Sequence, residues 1–234
     1  MRKIAIFVEG QTELHFVSRL ITEVAGYGNV AIELWLHRGG AYSKLREEGA
    51  SPEVADVFVM LVNCCGDGVK TSILERKSLL FAKGFEAILG LQDLYPKPIE
   101  DLDRFQAGLD KGLADLGENI KIFLAVGEVE AWFLNEFTHF EKLDSKLSVS
   151  YISKESGFNP EEESAETEVR HPAGKLKEIY ALADIRYRKR EGDTHRLVSY
   201  INYENMYLSV RGISKSLDCF LSGLETVLFP SSAE

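Results

Sequence analysis

Five apolar residues in a row, Ile4-Ala5-Ile6-Phe7-Val8, run straight into Glu9-Gly10. The run is too short for a helix and β-branched enough for a buried parallel strand. Gly10 lets the backbone turn sharply. Thr12 is placed to cap a helix whose apolar stripe continues through Phe16, Val17, Leu20, Ile21 and Val24. Glu9 then sits at the carboxyl end of a strand and Glu13 in the first turn of the next helix, where open α/β sheets bind ligands. Two carboxylates meeting there are costly unless a cation or proton offsets them. A hard divalent cation is one reason for such a pair. The other is that Glu13 simply complements a helix N-terminus.

The same alternation continues along the chain. Val30–His37 reads as a strand with one more apolar face, ended by Arg38-Gly39-Gly40, and Ala41–Glu48 as a short helix. Val54–Val62 is a buried strand leading into Asn63-Cys64-Cys65-Gly66-Asp67-Gly68. Ser72–Lys83 is a helix with Ile73, Leu74, Leu79, Leu80 and Phe81 inward and Gly84 as its stop. Phe85–Leu91 is a further strand, closed by Pro96 and Pro98; Ile99–Leu116 is a helix ending at Gly117; Ile120–Val126 is the last strand. Strands alternating with helices give an α/β protein with a largely parallel central sheet flanked by helices.

Residues 1–138 form that domain in this reading, and 139–234 a mostly helical extension packed on it or continuous with it. In the extension, Glu155, Glu161, Glu162, Glu163, Glu166 and Glu168 put six acids in one short span with no base among them, which reads as a solvated loop. Pro172 opens a helix over 173–182, and 198–210 and 213–228 complete the helical set.

Charge and cysteine usage narrow the function. A formal net charge of −10 argues against tight nucleic-acid binding through bulk electrostatics, though not against an enzyme whose metals or partner supply the positive charge. Three cysteines, two of them adjacent, make no disulfide framework, so a reducing, cytoplasmic setting is expected. No stretch has the apolar length of a membrane span, and no leader is expected, because Ile4–Val8 is short and runs into charge.

Every strong strand before residue 135 except the Val30 strand is followed by an acid: Glu9 with Glu13, Asp67, Asp93, and Glu128 with Glu130. Glu128 and Glu130 share a face if strand geometry persists and diverge if a helix starts at Glu128. Clustered carboxylates without Cys or His suit Mg²⁺ or Mn²⁺ rather than Zn²⁺. Two such ions close together make a site for cutting or joining phosphodiesters.

The residues Val8-Glu9-Gly10-Gln11-Thr12-Glu13 resemble the glutamate motif of Toprim domains. With Gln92-Asp93-Leu94-Tyr95-Pro96 and Glu128-Val129-Glu130-Ala131-Trp132, their order resembles the domain-of-unknown-function family 4276, bacterial proteins regarded as Toprim-like. The layout is also similar to the Toprim nuclease half of the overcoming-lysogenization-defect proteins. The resemblance covers residues 4–134, with an echo at Tyr187-Arg188-Lys189. It implies Glu9, Glu13, Asp93, Glu128 and Glu130 as ligands of Mg²⁺ or Mn²⁺, Glu9 also as general base, and Asp93 and Lys189 in catalysis, Lys189 on a phosphate. It further implies a nuclease acting on DNA rather than RNA, in an anti-phage or mobile-element system, beside a separate ATPase subunit or as a homodimer. Toprim domains carry Asp-x-Asp where this chain has Tyr95 in the second position, so either one metal binds or Asp67 or Glu130 substitutes.

Three function classes stand against one another. The first is the metal-dependent nuclease. The second is a non-catalytic, metal-binding adaptor that docks a partner such as an ATPase, favoured by the missing aspartate and the acidic balance. The third is a phosphatase or phosphotransferase acting on small molecules with the same metals. Lesser signals are weaker. The Gly66–Ser72 stretch departs from phosphate-loop spacing, yet Lys70 would reach a phosphate; Asp67 reads as a turn residue. Arg186, Arg188, Lys189, Arg190 and Arg196 form a basic run that either meets phosphate or lies solvated. Trp132 and Phe133 read as core, and Cys64 and Cys65 as small packed hydrophobes. His15, His37, His139, His171 and His195 show no metal-ligand spacing.

Overall fold

The computed structural model of the chain describes residues 1–113 and 119–230. Two compact units make it up. The first comprises Met1–Gln92, Asp103–Leu124 and Ser222–Glu234, the second Asp93–Leu102 and Ala125–Leu221.

The first unit is built on a six-stranded sheet in the order β3-β2-β4-β1-β5-β6. Its strands are β1 (Arg2–Val8), β2 (Val30–Arg38), β3 (Ala41–Gly49), β4 (Val57–Asn63), β5 (Ala87–Asp93) and β6 (Ile120–Ala125). Strand β1 runs parallel to β4 and β5, and β2 parallel to β4, so the sheet is mixed and mostly parallel. Residues Ile4 to Val8 are all wholly buried, the burial on both faces that a continuous apolar run requires. Helix α1 (Gln11–Ala25) packs on β2 and β4, and α2 (Val69–Ala82) on β1. At Gly90 of β5 an added Cβ would lie 3.0 Å from Val69 Cγ1 of α2 and 3.0 Å from Ile122 Cγ1 of β6.

Several sequence expectations are corrected here. Residues 41–48 are strand, not helix: β3 pairs antiparallel with β2, with a bulge at Leu34/Trp35. Gly39 and Gly40 both take positive φ, 59° and 78°, the backbone of a tight hairpin that overrides the helical pattern. Thr12 is not the cap. Helix α1 starts at Gln11 with Gly10 at its N-cap, and Thr12 is buried within the first turn. Leu74 and Leu79 of α2 are 40% and 44% exposed rather than inward. Cys65 is exposed with φ 57°, whereas Cys64 is half-buried and burial pushes its thiol up to about 11. Lys70 is committed elsewhere. Its ammonium donates to the carbonyls of Gly108 and Lys111, at 2.8 and 2.7 Å, at the C-terminal end of α3 (Leu102–Asp110). The expected end of that helix at Leu116 and Gly117 lies outside the described residues.

The second unit is helical in its regular structure: α4 (Glu130–Asn135), α5 (Thr138–Leu143), α6 (Val149–Ser156), α7 (Ala165–Glu168), α8 (Pro172–Ala181), α9 (Glu191–Tyr200), α10 (Tyr203–Asn205), a π-helical turn Met206–Val210 and α11 (Arg211–Ile213). Helix α12 (Lys215–Leu228) leads back into the first unit. The continuous helix expected over 198–210 is broken at Ile201-Asn202. There the Asn202 amide donates to Glu136 and its side chain caps α10. Trp132, Phe133 and Phe140 are wholly buried. The acid-rich span is not simply solvated. Glu166 is half-buried, accepting bonds from Ser216 Oγ at 2.6 Å and from the Trp132 indole at 3.2 Å, and burial raises its pKa above the usual carboxylate range. No helix among the described residues is long and apolar enough to cross a membrane.

Gly223 of α12 shows how closely this packing is set. An added Cβ would fall 2.1 Å from Cζ of the buried Phe123 ring. Gly→Ala inside a helix ordinarily stabilises by about 1 kcal/mol. Here Gly223→Ala is expected to destabilise by about 1–3 kcal/mol through overpacking, seen as a lowered midpoint in thermal or denaturant unfolding.

Candidate functional site

In the first unit, β1 delivers Glu9 to its carboxyl end, and α1 starts two residues later. The loop after β4 closes against this turn: the Cys64 amide donates to the Val8 carbonyl at 2.8 Å and the Gly66 amide to the Glu9 carbonyl at 2.9 Å. Asn63 holds the loop from within, its Oδ1 accepting the Cys65 amide at 2.8 Å. Glu13 is the third residue of α1 and is only 4% exposed. From that position a glutamate reaches back to its helix N-terminus. Its Oε2 lies 2.8 Å from where a Cβ on Gly10 would stand, so a side chain at position 10 would make the Glu13 carboxylate shift. Asp67 is exposed.

In the second unit, Asp93, Glu128, Glu130 and Lys189 are gathered by direct contacts. Asp93 Oδ1 accepts the amide of Val129, the residue between the two glutamates, at 3.3 Å. The turn that carries Glu128 passes through Gly127 (φ 72°), where an added Cβ would lie 3.1 Å from Pro172 Cγ. Helix α4 starts at Glu130 itself. Glu128 therefore lies in the turn and Glu130 in the first helical residue, an arrangement that neither pure strand nor a helix from Glu128 would give. Both carboxylates point to one ammonium. Lys189 Nζ is 2.7 Å from Glu128 Oε1 and 2.9 Å from Glu130 Oε1. The lysine comes from a loop residue with φ 53°, left-handed backbone that an L side chain adopts at a cost of about 1–3 kcal/mol. The neighbouring Arg188 amide is tied to Asp193 at 2.9 Å, which fixes the loop at the start of α9.

Two groups complete the cluster that sequence reasoning missed. Tyr187 donates its hydroxyl to Glu130 Oε1 at 3.2 Å, and the Ala173 amide donates to Glu128 Oε2 at 3.0 Å. The second had a signal in the sequence. Pro172 opens α8, so the amide of the following residue has no partner inside the helix and faces an anion favourably. Tyr187 had none beyond its place beside Lys189.

The electrostatics follow from burial. Glu130 is wholly buried, and desolvation raises its pKa against the opposing pull of Lys189. Burial alone would lower Lys189, but Glu130 and Glu128 outweigh it and hold the ammonium firmly charged. Among the described residues, buried Glu130 Oε2 has no hydrogen-bond partner. Within the basic run Lys189 is enclosed by two carboxylates, whereas Arg186, Arg188, Arg190 and Arg196 are exposed.

A second buried network lies in the same unit. His139 Nδ1 meets the Glu136 carbonyl at 2.5 Å, and its Nε2 meets the Tyr180 hydroxyl at 2.9 Å. Burial works to raise Glu136, but His139, Thr138 and the Asn202 amide outweigh it and hold its pKa below the usual range. Its partners are all internal, and it reads as structural.

Comparison with protein families, with characterised proteins and with solved structures gives no match.

The ion cluster makes a direct prediction. Lys189→Met leaves two carboxylates facing each other, one of them wholly buried, and is expected to cost about 3 kcal/mol, as for a broken buried pair. Adding Glu130→Gln to Lys189→Met removes the stranded charge and is expected to restore most of that loss. Denaturant unfolding of the two variants reads both effects.

Proposed function

We propose that the chain is a divalent-metal-dependent phosphodiesterase of Toprim-like type that cuts nucleic acid, DNA in the first instance. The observation that carries this reading is the convergence of Glu128 and Glu130 on Lys189, with Asp93 bonded to the turn between them and one buried carboxylate oxygen, Glu130 Oε2, without a donor among the described residues. The donor set is all oxygen, which suits Mg²⁺ or Mn²⁺ and not Zn²⁺. The fit has a condition. Glu128 Oε1 and Glu130 Oε1 are taken by the ammonium, so Lys189 must swing away before those atoms can hold a metal.

When bound, such an ion would activate water and neutralise the charge that develops on the phosphate. The chain's own groups do the rest. Asp93, Glu128 and Glu130 would hold it, and the Ala173 amide and Tyr187 hydroxyl would keep the two glutamates oriented. Lys189, once released, carries its charge to the phosphate, the role the sequence resemblance gives it. Glu9 keeps its proposed role as ligand or general base, and Glu13 as a ligand. The resemblance is also what supports DNA as substrate, an anti-phage or mobile-element setting, an ATPase partner and a homodimer. A cytoplasmic location is supported by the three free cysteines.

A second reading is favoured by the same contacts. Lys189 already offsets half the charge of the two glutamates, which suits an adaptor whose cluster is a structural ion pair. Calorimetric titration with Mn²⁺, on wild type and Asp93→Ala, together with a supercoiled-plasmid nicking assay, separates the two. The expected result is metal binding and metal-dependent nicking by wild type, both lost in Asp93→Ala while its thermal midpoint stays close to wild type. Binding without nicking moves the assignment to the adaptor. Absence of metal binding sinks the phosphodiesterase reading. Hydrolysis of nucleotides or simple phosphate esters without nicking assigns the cluster to small-molecule chemistry.

A further inference from the structure

A different part of the first unit is shaped for a ligand. Between α2 and the β2–β4 part of the sheet lies a cavity of about 390 Å³, inside the range of small-ligand sites. Its floor is aromatic and apolar: Phe7 is wholly buried, while Trp35, Phe58 and Met60 are only half-buried. The alternation along β4 explains the exposure. Val57, Val59 and Leu61 are buried, whereas Phe58 and Met60 face the cavity. The one carboxylate among the lining residues, Glu33, is already engaged. Its Oε2 accepts the Trp35 indole N–H at 3.0 Å and its Oε1 meets Lys44 Nζ at 2.6 Å.

The wall contributed by α2 and its C-cap residue carries Arg76, Leu79, Leu80 and, at the C-cap, Lys83. The two cations sit seven residues apart, about 10 Å along the helix axis. Arg76 lies 3.8 Å from the centroid of the Tyr42 ring, with His37 stacked on that tyrosine at 4.1 Å. Among the described residues neither Arg76 nor Lys83 has a carboxylate partner, on a chain whose net charge is −10. An apolar pocket of this size, lined by two cations that lack a carboxylate partner among the described residues, suits a flat ring flanked by two negative groups.

We infer that this cavity binds one unpaired nucleotide of a single strand, with the base against Trp35, Phe58 and Met60 and the two flanking phosphates on Arg76 and Lys83. The inference rests on the nucleic-acid reading above and names the form of the substrate, a strand with unstacked bases. Aromatic platforms with cations tracking the backbone hold single strands without sequence preference. A paired base keeps its faces inside the duplex and cannot enter.

The test is fluorescence anisotropy of a labelled oligothymidylate with the full chain in EDTA, so that binding is read without cutting. Two phosphate contacts predict that log K falls with log salt at a slope of about −1.4, and Arg76→Met or Lys83→Met should each reduce that slope by about 0.7. A duplex of equal length is expected to bind about tenfold more weakly, and Trp35 emission should be quenched by the single strand. Equal binding of strand and duplex, a slope unchanged in the double variant, equal competition by polyglutamate, or no binding at low salt would each overturn the inference. Loss of this binding with nicking retained removes the pocket alone. Binding retained without nicking removes the catalytic reading alone.

Discussion

Two glutamates brought within reach of one lysine set the local structure of the second unit. Bringing two carboxylates together out of water is costly, and a single ammonium between them is the least that makes it tolerable. Lys189 reaches that place only because its backbone accepts left-handed φ, and that backbone is held in turn by Asp193. Ala173 and Tyr187 supply the remaining donors, so α8 and the loop before α9 are both tied to the Glu128–Glu130 turn. One ion cluster thus fixes the relation of four segments that share no sheet and no long helix.

The first unit rests on a different constraint. A parallel strand must be covered on both faces, and β1 is the strand that meets this most completely. At its turn into α1 the Glu13 carboxylate lies against Gly10, in the space a side chain there would approach. The opposite flank of the sheet is less closed. Strand β3 is a charged edge, with Lys44 held by Glu33 and Glu47 and Arg46 by Glu48, a pattern that discourages further strand pairing. Between that edge and α2 the apolar floor stays partly open, and there Arg76 and Lys83 have no carboxylate partner among the described residues.

Much of the α/β architecture was legible because buried strands leave a local mark. Ile4–Val8, Val57–Asn63 and Ile120–Ala125 are apolar runs that no other element explains. Residues 41–48 were not legible in that way. Lys44, Arg46, Glu47 and Glu48 give an edge strand a helix-like polarity, and only its pairing with β2 makes it a strand. Leu74 and Leu79 fit an inward stripe by spacing, yet α2 is buried on a narrower face than the spacing suggests. At the site, the acids after each strand were visible as residue types at predictable places. The partner that neutralises Glu128 and Glu130 was not, since Lys189 lies about sixty residues away and its direction depends on one backbone dihedral. Glu166 shows the same limit: six acids close together read as solvated, and only the fold reveals that one of them holds Trp132 and Ser216.

The order of segments within the first unit has a consequence for synthesis on the ribosome. Helix α12 covers Phe123 through Gly223, and the Arg2 guanidinium donates to the carbonyl of Leu228 at 3.2 Å. The earliest strand and one of the last helical residues are therefore bonded to each other. While the intervening residues emerge, the face around β6 lacks its cover and Arg2 lacks this acceptor. The unit that begins first is completed only after the whole of the other has been translated, a late closure that leaves apolar strand surface in need of protection during elongation.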